Sequence, residues 1–136
     1  DTAPTGHTIL LLESTKNYNQ QIENSGGDVS DAEKNLLPRL KDPDETEVII
    51  VTLAETTPFY EAERLLADLK RAGIAVKWWV INASYSMADT TSDFLKAKAA
   101  NEMQWIQSVK EISGGQYTVI PWEPFEVKGD KLLELL

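Results

Sequence analysis

The chain has 136 residues, of which 22 are acidic and 13 basic, and its formal net charge is −9. This length suits at most one domain with a core of its own. The acidic balance argues against binding to nucleic acid or to anionic lipid, since both are held mainly by Lys and Arg. No apolar run approaches the roughly 18 residues of a membrane span. Cys is absent, which excludes disulfides and is compatible with a reducing cytosol.

The first eight residues, DTAPTGHT, concentrate metal and phosphate chemistry in one loop. Asp1, Gly6 and His7 lie there together with three threonine hydroxyls and a proline. In a nucleotide-binding α/β domain such a loop follows the carboxyl end of a buried strand, and no strand precedes Asp1. The sequence therefore reads as a piece of a larger enzyme that begins at its switch loop.

Polar residues dominate positions 14–35, and we expect a surface segment there whose simplest reading is a solvated connector. A short helix is predicted over residues 30–40, with Ser30 as its N-cap. After it, strands are predicted at 48–53, 75–82 and 117–120, and the continuous apolar run of the first suits a strand buried on both faces. Trp78 and Trp79 are neighbours on a strand, so they must face opposite sides and at least one should be core.

Two helices are predicted between these strands, and a last one over the tail from Asp130. The first opens with Pro58 at its first helical position and stops at Gly73. The second follows a capping box at residues 90–93 and ends at Gly114-Gly115. Strands that alternate with helices of this length predict parallel strands that are neighbours in chain order. The edge of the first strand would then be bare, so we expect self-association or cover from the chain's own amino-terminal segment.

Four stretches carry a resemblance to a known family: residues 1–8, VTLAETTP at 51–58, WVIN at 79–82 and SMADT at 86–90. Together they resemble the arsenical pump-driving ATPases and the related ATPases that deliver tail-anchored membrane proteins. The resemblance spans nearly the whole chain and fits best the second half of the duplicated pump polypeptide. It implies a P-loop NTPase-type three-layer α/β fold, a parallel sheet with helices on both faces, and a helix at residues 8–13.

The same resemblance implies that residues 1–136 are the carboxyl-terminal part of one nucleotide-binding domain whose P-loop portion is absent. No G-x-x-x-x-G-K-[ST] motif occurs in the sequence. We therefore expect the isolated piece to be inactive.

The resemblance assigns roles at the amino terminus. Asp1 would hold Mg²⁺ through a water, and one carboxylate suffices because Mg²⁺ keeps several waters. Gly6 would bring its backbone N–H to the γ-phosphate of ATP, an approach that a Cβ would obstruct. His7 would lie towards the metalloid site and couple it to the nucleotide; a purely structural role is the alternative.

The resemblance also predicts an adenine pocket. Asn82, at the predicted end of a strand, would read the adenine edge through its side-chain amide, and an Asx turn is the alternative. A second Asn often follows in the family, where Ala83 stands here. Pro124 and Phe125 belong to the later loop that would wrap the adenine, mostly through its backbone.

The implied function is hydrolysis of ATP with Mg²⁺ by a cytoplasmic enzyme that energises arsenite or antimonite efflux through a membrane partner subunit. The enzyme would sit peripherally at the inner membrane through that partner and would be a homodimer or a pseudo-dimer of ATPase halves. Arsenite and antimonite are thiophilic and this chain has no Cys, so their thiolates would lie upstream of Asp1, or the enzyme is not stimulated by metalloid. The alternatives are a targeting ATPase for tail-anchored proteins, whose usual Cys-x-x-Cys is missing here, and a non-catalytic remnant that binds a partner.

Overall fold

The computed structural model describes residues 38–88 and 90–124 as an alternation of strands and helices. Residues 38–41 are helical, and residues 85–87 form one turn of 3₁₀ helix. The longer elements, in chain order, are β1 (Val48–Thr52), α1 (Thr56–Arg71), β2 (Val76–Ser84), α2 (Asp93–Ile112) and β3 (Tyr117–Pro121). Within the described residues, no helix combines the length and the apolar character that a membrane crossing requires.

The three strands form one parallel sheet in the order β1-β2-β3. β2 pairs with β3 in parallel, with Trp79 opposite Tyr117 and Ile81 opposite Val119. The predicted α/β class, the parallel direction and the neighbour order are therefore confirmed. Parallel strands joined through helices bring their carboxyl ends to one edge of the sheet, which is where α/β proteins place their ligands.

Two compact units divide the described chain, one of residues 38–48 and 63–77 and one of 49–62, 78–88 and 90–124. The buried apolar side chains of the first are Leu66, Leu69, Ala72 and Ile74. The second, which carries every contact discussed below for the candidate site, buries Ile50, Ala54, Phe59, Ala62, Trp79, Ile81 and Val109.

Burial along β1 differs from the expectation of a strand covered on both faces. Ile50 and Thr52 are buried, whereas Ile49 and Val51 are 48% and 62% exposed. The described elements therefore account for cover on one face alone, and the predicted association of the β1 edge stays a prediction.

Both helices end at glycines with positive φ, as predicted. After α1, Gly73 has φ +76°; its N–H donates to the Lys70 carbonyl at 3.1 Å, and the Ile74 N–H donates to the Leu69 carbonyl at 2.9 Å. Leu69 and Ile74 are both buried, which completes a Schellman motif. Gly114 and Gly115 end α2 in the same way, with φ +62° and +86°.

The helix starts depart from the predictions in detail. α1 begins at Thr56, so Pro58 is its third residue and not its first. α2 begins after Ser92, but the Ser92 side chain makes no capping hydrogen bond. The backbone N–H of Ser92 donates instead to the Thr90 hydroxyl at 3.2 Å. The predicted capping box is therefore wrong, and the helix begins at Asp93, the last residue of the predicted box.

Trp78 and Trp79 fall on opposite sides of β2, as their adjacency requires. Trp79 is 2% exposed and belongs to the core, whereas Trp78 is exposed. The polar segment at 14–35, the helix at 8–13, most of the helix at 30–40 and the tail helix lie outside the described residues.

Candidate functional site

The candidate site lies at the carboxyl edge of the sheet, where β2 and β3 end. β2 continues to Ser84, two residues further than predicted, so Asn82 lies within the strand and not at its end. Asn82 is exposed. Pro124 follows β3 by three residues and is exposed as well. These two sequence-predicted residues therefore lie near the carboxyl ends of neighbouring strands.

A β-bulge follows Ile81 and shapes the backbone around Asn82. Ile81 pairs with Val119 and Ser84 with Pro121, so two residues of β2 stand opposite one residue of β3. The second of them, Ala83, has φ +53°. A left-handed conformation costs a residue with a Cβ about 1 kcal/mol or more, and bulges recur beside functional sites, where they re-aim a side chain. The segment that carries Asn82 is therefore bent and strained.

A buried carboxylate from α2 holds the end of β2. Glu102 is 6% exposed, and its carboxylate accepts hydrogen bonds from the Ser84 hydroxyl at 2.7 Å, from the Tyr85 N–H at 3.1 Å and from the Ser86 N–H at 3.0 Å. The two N–H groups belong to the 3₁₀ turn, where backbone donors are free to bind an anion. One side chain thus fixes three successive residues.

The serine hydroxyls complete this network. The Ser84 and Ser86 hydroxyl oxygens lie 2.7 Å apart, and because the Ser84 proton is directed at Glu102, Ser86 is the donor between them. Among the described residues no buried side-chain nitrogen or oxygen lacks a partner. None of the described ion pairs involves Glu102. The carboxylate is therefore satisfied by uncharged donors.

The loop after β3 is joined to the end of β2 by a backbone bond and a ring contact. The Trp122 N–H donates to the Ser84 carbonyl at 2.9 Å. The rings of Tyr85 and Trp122 lie 5.3 Å apart at an angle of 30°, and the Lys98 ammonium lies 4.9 Å from the centre of the Tyr85 ring. These contacts hold the beginning of the loop at residues 121–124 beside the end of β2.

A cleft of about 460 Å³ lies between the start of α1 and the adjoining side of α2. Its walls are residues 54–58 and Lys98, Asn101, Glu102, Gln104 and Trp105. Lys98 and Glu55 form an ion pair of 3.3 Å across it; both are well exposed, so the pair adds little stability. Backbone donors at the helix start and the lysine give this cleft mixed polarity.

The part of the chain that the structure describes contains no group of three or more His, Cys, Asp or Glu side chains that could hold a metal ion. Asp1, Gly6, His7 and Phe125, the other predicted site residues, lie outside it. Their roles stay predictions.

Sequence reasoning missed Glu102, and a signal for it was present. Glu102 stands in helical register with Trp105 and Val109, and this stripe of α2 faces the interior. A carboxylate in such a stripe requires buried donors, which the polar run Ser84-Tyr85-Ser86 supplies. The bulge had no comparable signal, because Ala83 is not a residue that favours positive φ.

Comparisons with known proteins agree with this architecture. The family described as Anion-transporting ATPase matches residues 28–136. The chain is 44% identical over 136 residues, 99% of its length, to an arsenical pump-driving ATPase of Escherichia coli, and 44% identical over 137 residues to one of Acidiphilium multivorum. It is 25% identical over 169 aligned positions to ATPase GET3B of Arabidopsis thaliana. The chain spans 23% of the length of either pump-driving relative and 41% of the Arabidopsis protein.

Proposed function

Because this chain belongs to the anion-transporting ATPase family, we propose that it is the carboxyl-terminal part of a nucleotide-binding domain in an enzyme that hydrolyses ATP to drive arsenite or antimonite efflux. The observation that carries the proposal is its 44% identity, along nearly all of its length, to proteins that are named arsenical pump-driving ATPases.

Within that enzyme the ends of β2 and β3 and the loop after β3 supply the adenine pocket. Asn82 offers both an amide donor and a carbonyl acceptor at an exposed position of the sheet's carboxyl edge. Beside it the loop 121–124 is fixed against Ser84 and Tyr85. An amide and a neighbouring backbone loop fit the edge of a purine base, so Asn82, Pro124 and Phe125 are our candidates for adenine contact.

Asp1, Gly6 and His7 complete the proposal on the side of the phosphates and the metalloid. Asp1 would hold Mg²⁺ through a water and Gly6 would face the γ-phosphate; Mg²⁺ supplies charge neutralisation for phosphoryl transfer when it is bound. His7 would couple the metalloid site to the nucleotide. Since the chain has no Cys, the thiolates that capture a soft metalloid would come from the rest of the enzyme.

The proposed enzyme works in the cytoplasm and reaches the inner membrane through an efflux subunit, with two ATPase halves forming a dimer or pseudo-dimer. A carrier for tail-anchored membrane proteins is the second candidate, and the 25% identity to ATPase GET3B is the observation that favours it. The higher identity to pump-driving ATPases and the lack of Cys-x-x-Cys in this chain place it second.

The test of the pump assignment is the ATPase rate of the full-length enzyme against antimonite concentration, for wild type and for His7→Ala. We expect antimonite to stimulate the wild type, and the substitution to reduce the stimulation while basal hydrolysis stays largely intact. Equal stimulation of both would remove His7 from the coupling path. No stimulation of the wild type would remove the metalloid from the function and turn attention to the carrier.

The test of the adenine pocket is Asn82→Ala in the same enzyme. Loss of the base contact should weaken ATP binding by about 1–3 kcal/mol and reduce the preference for ATP over GTP, with a smaller effect on turnover. Steady-state kinetics with both nucleotides measures this. Unchanged affinity together with unchanged selectivity would leave Asn82 as a residue of the bulge alone.

A further inference from the structure

The backbone around Asn82 does not hold its shape by local preference. Ala83, the next residue, has φ +53° and lies in the bulge between Ile81 and Ser84. Strained conformations of this kind persist where the surrounding structure over-determines them. Whatever fixes Ser84 and the turn after it therefore also constrains the bulged backbone that carries Asn82.

Three hydrogen bonds to Glu102 supply that constraint from a distant part of the sequence. Glu102 follows the residues that it binds by 16 to 18 positions. Ser84, at the centre of the arrangement, is 1% exposed, and its carbonyl accepts the Trp122 N–H on the β3 side. Ser84 is therefore held from two directions, by α2 and by the loop after β3.

The chemistry of Glu102 is unusual for a residue that serves stability alone. Burial of a carboxylate without a cation is costly, and the donors around it are two backbone N–H groups and one hydroxyl. A carboxylate, unlike an amide, presents two acceptor oxygens and no donor. It therefore matches this set of three donors, which a glutamine of the same size does not.

We propose that Glu102 is a positioning residue for nucleotide recognition, which acts through Ser84 and the 3₁₀ turn to aim the side chain of Asn82 at the adenine edge. The inference rests on the proposed function, because it requires Asn82 to contact the base. It adds a specificity determinant on α2 that touches neither the nucleotide nor the metal.

The experiment is a double-mutant cycle in the full-length enzyme, with wild type, Asn82→Ala, Glu102→Gln and the double variant. KM and kcat are measured with ATP and with GTP. We expect Asn82→Ala and Glu102→Gln each to raise the KM for ATP about tenfold relative to that for GTP, with kcat changed less than KM. The double variant should match Asn82→Ala, since Glu102 acts through Asn82. Glu111→Gln, an exposed change on the same helix, is the matched control and should behave as wild type.

The outcomes separate this inference from the proposed function. If Asn82→Ala changes neither selectivity nor KM, the adenine pocket falls, and the inference falls with it. If Asn82→Ala acts as expected but Glu102→Gln does not, or if the two effects multiply in the double variant, the inference alone is overturned. Equal loss of ATP and GTP activity in Glu102→Gln would likewise assign it a structural role and overturn the inference.

A second variant covers the case in which Glu102→Gln fails to fold, as judged by circular dichroism. Ser84→Ala removes one of the three donors and leaves the two backbone bonds in place. It should raise the KM for ATP about threefold relative to GTP, less than the loss of the carboxylate. An unchanged ratio of the two KM values in Ser84→Ala would overturn the inference.

Discussion

The chain leaves the carboxyl ends of the parallel strands β1 and β2 in different ways. After β1 the chain turns into α1 within a few residues: the Glu55 carbonyl accepts the Phe59 N–H at 3.0 Å, and the Glu55 side chain makes one exposed ion pair with Lys98. The end of β2 contains a bulge with Ala83 at positive φ, and Ser84 and the residues after it bind a buried carboxylate. The first exit is locally determined. The second depends on a residue from another element, and it is the one that presents Asn82.

The largest expected effect tests this difference by removing one glutamate at each end. Glu102→Ala removes the acceptor of the buried Ser84 hydroxyl and of the Tyr85 N–H, and leaves the Ser86 N–H only its 3.2 Å bond to the Ser84 hydroxyl, so it should lower the free energy of unfolding by about 3 kcal/mol. Glu55→Ala removes an exposed partner and should change it by less than about 0.5 kcal/mol. Urea unfolding of this chain, followed by tryptophan fluorescence, measures both. Similar losses in the two variants would erase the distinction between the strand ends.

A smaller effect is expected in the turn that leads from α1 into β2, which is held by its own backbone hydrogen bonds. Gly73→Ala places a Cβ at φ +76°, where it meets only the Lys41 side chain at 3.9 Å and beyond. The loss therefore comes from the backbone alone and should be about 1 kcal/mol. Gly114→Ala, whose added Cβ meets nothing within 4 Å, is the matched control and should lose the same amount. A much larger loss of stability at Gly73 than at Gly114 would mean that contacts with other parts of the chain, and not the backbone alone, determine the energy of this turn.

The smallest expected effect is that an Ala→Gly substitution changes the free energy of unfolding in opposite directions at the two strand ends. Ala83→Gly relieves a positive φ and should stabilise the chain by about 0.5 kcal/mol, net of the added entropy of the unfolded state. Ala54 is a buried residue in the bend after β1 and does not have a positive φ, so Ala54→Gly should destabilise the chain by about 0.5–1 kcal/mol. The same unfolding assay compares them. Destabilisation by both substitutions would mean that contacts of the Ala83 methyl group contribute more to stability than its positive φ costs.

Local features of the fold were predictable because they depend on short-range chemistry. Gly73 and the pair Gly114-Gly115 mark the helix ends, and β-branched runs mark the strands. The order of the strands followed from the alternation of elements. Each of these features requires only residues that are near one another in the sequence.

What escaped prediction depends on the partners that a residue meets. The run of apolar residues in β1 does not predict that Ile49 and Val51 lie on a face that the described helices leave exposed. The bulge at Ala83 arises from pairing with β3, and the role of Glu102 arises from contact with Ser84. Of the candidate site, sequence therefore indicated Asn82 and the loop after β3, but not the side chain that holds them in place.

The contact between Tyr85 and Trp122 has an optical consequence. With ring centres 5.3 Å apart, excitation absorbed by Tyr85 passes efficiently to Trp122 as long as the loop after β3 stays against the end of β2. Trp78, Trp79 and Trp105 contribute to the same emission, so a reference without Trp122 is required. Comparison with Trp122→Phe isolates the signal of the contact. The chain thus carries its own spectroscopic reporter beside the candidate pocket, and movement of the loop after β3 can be followed in real time without a dye.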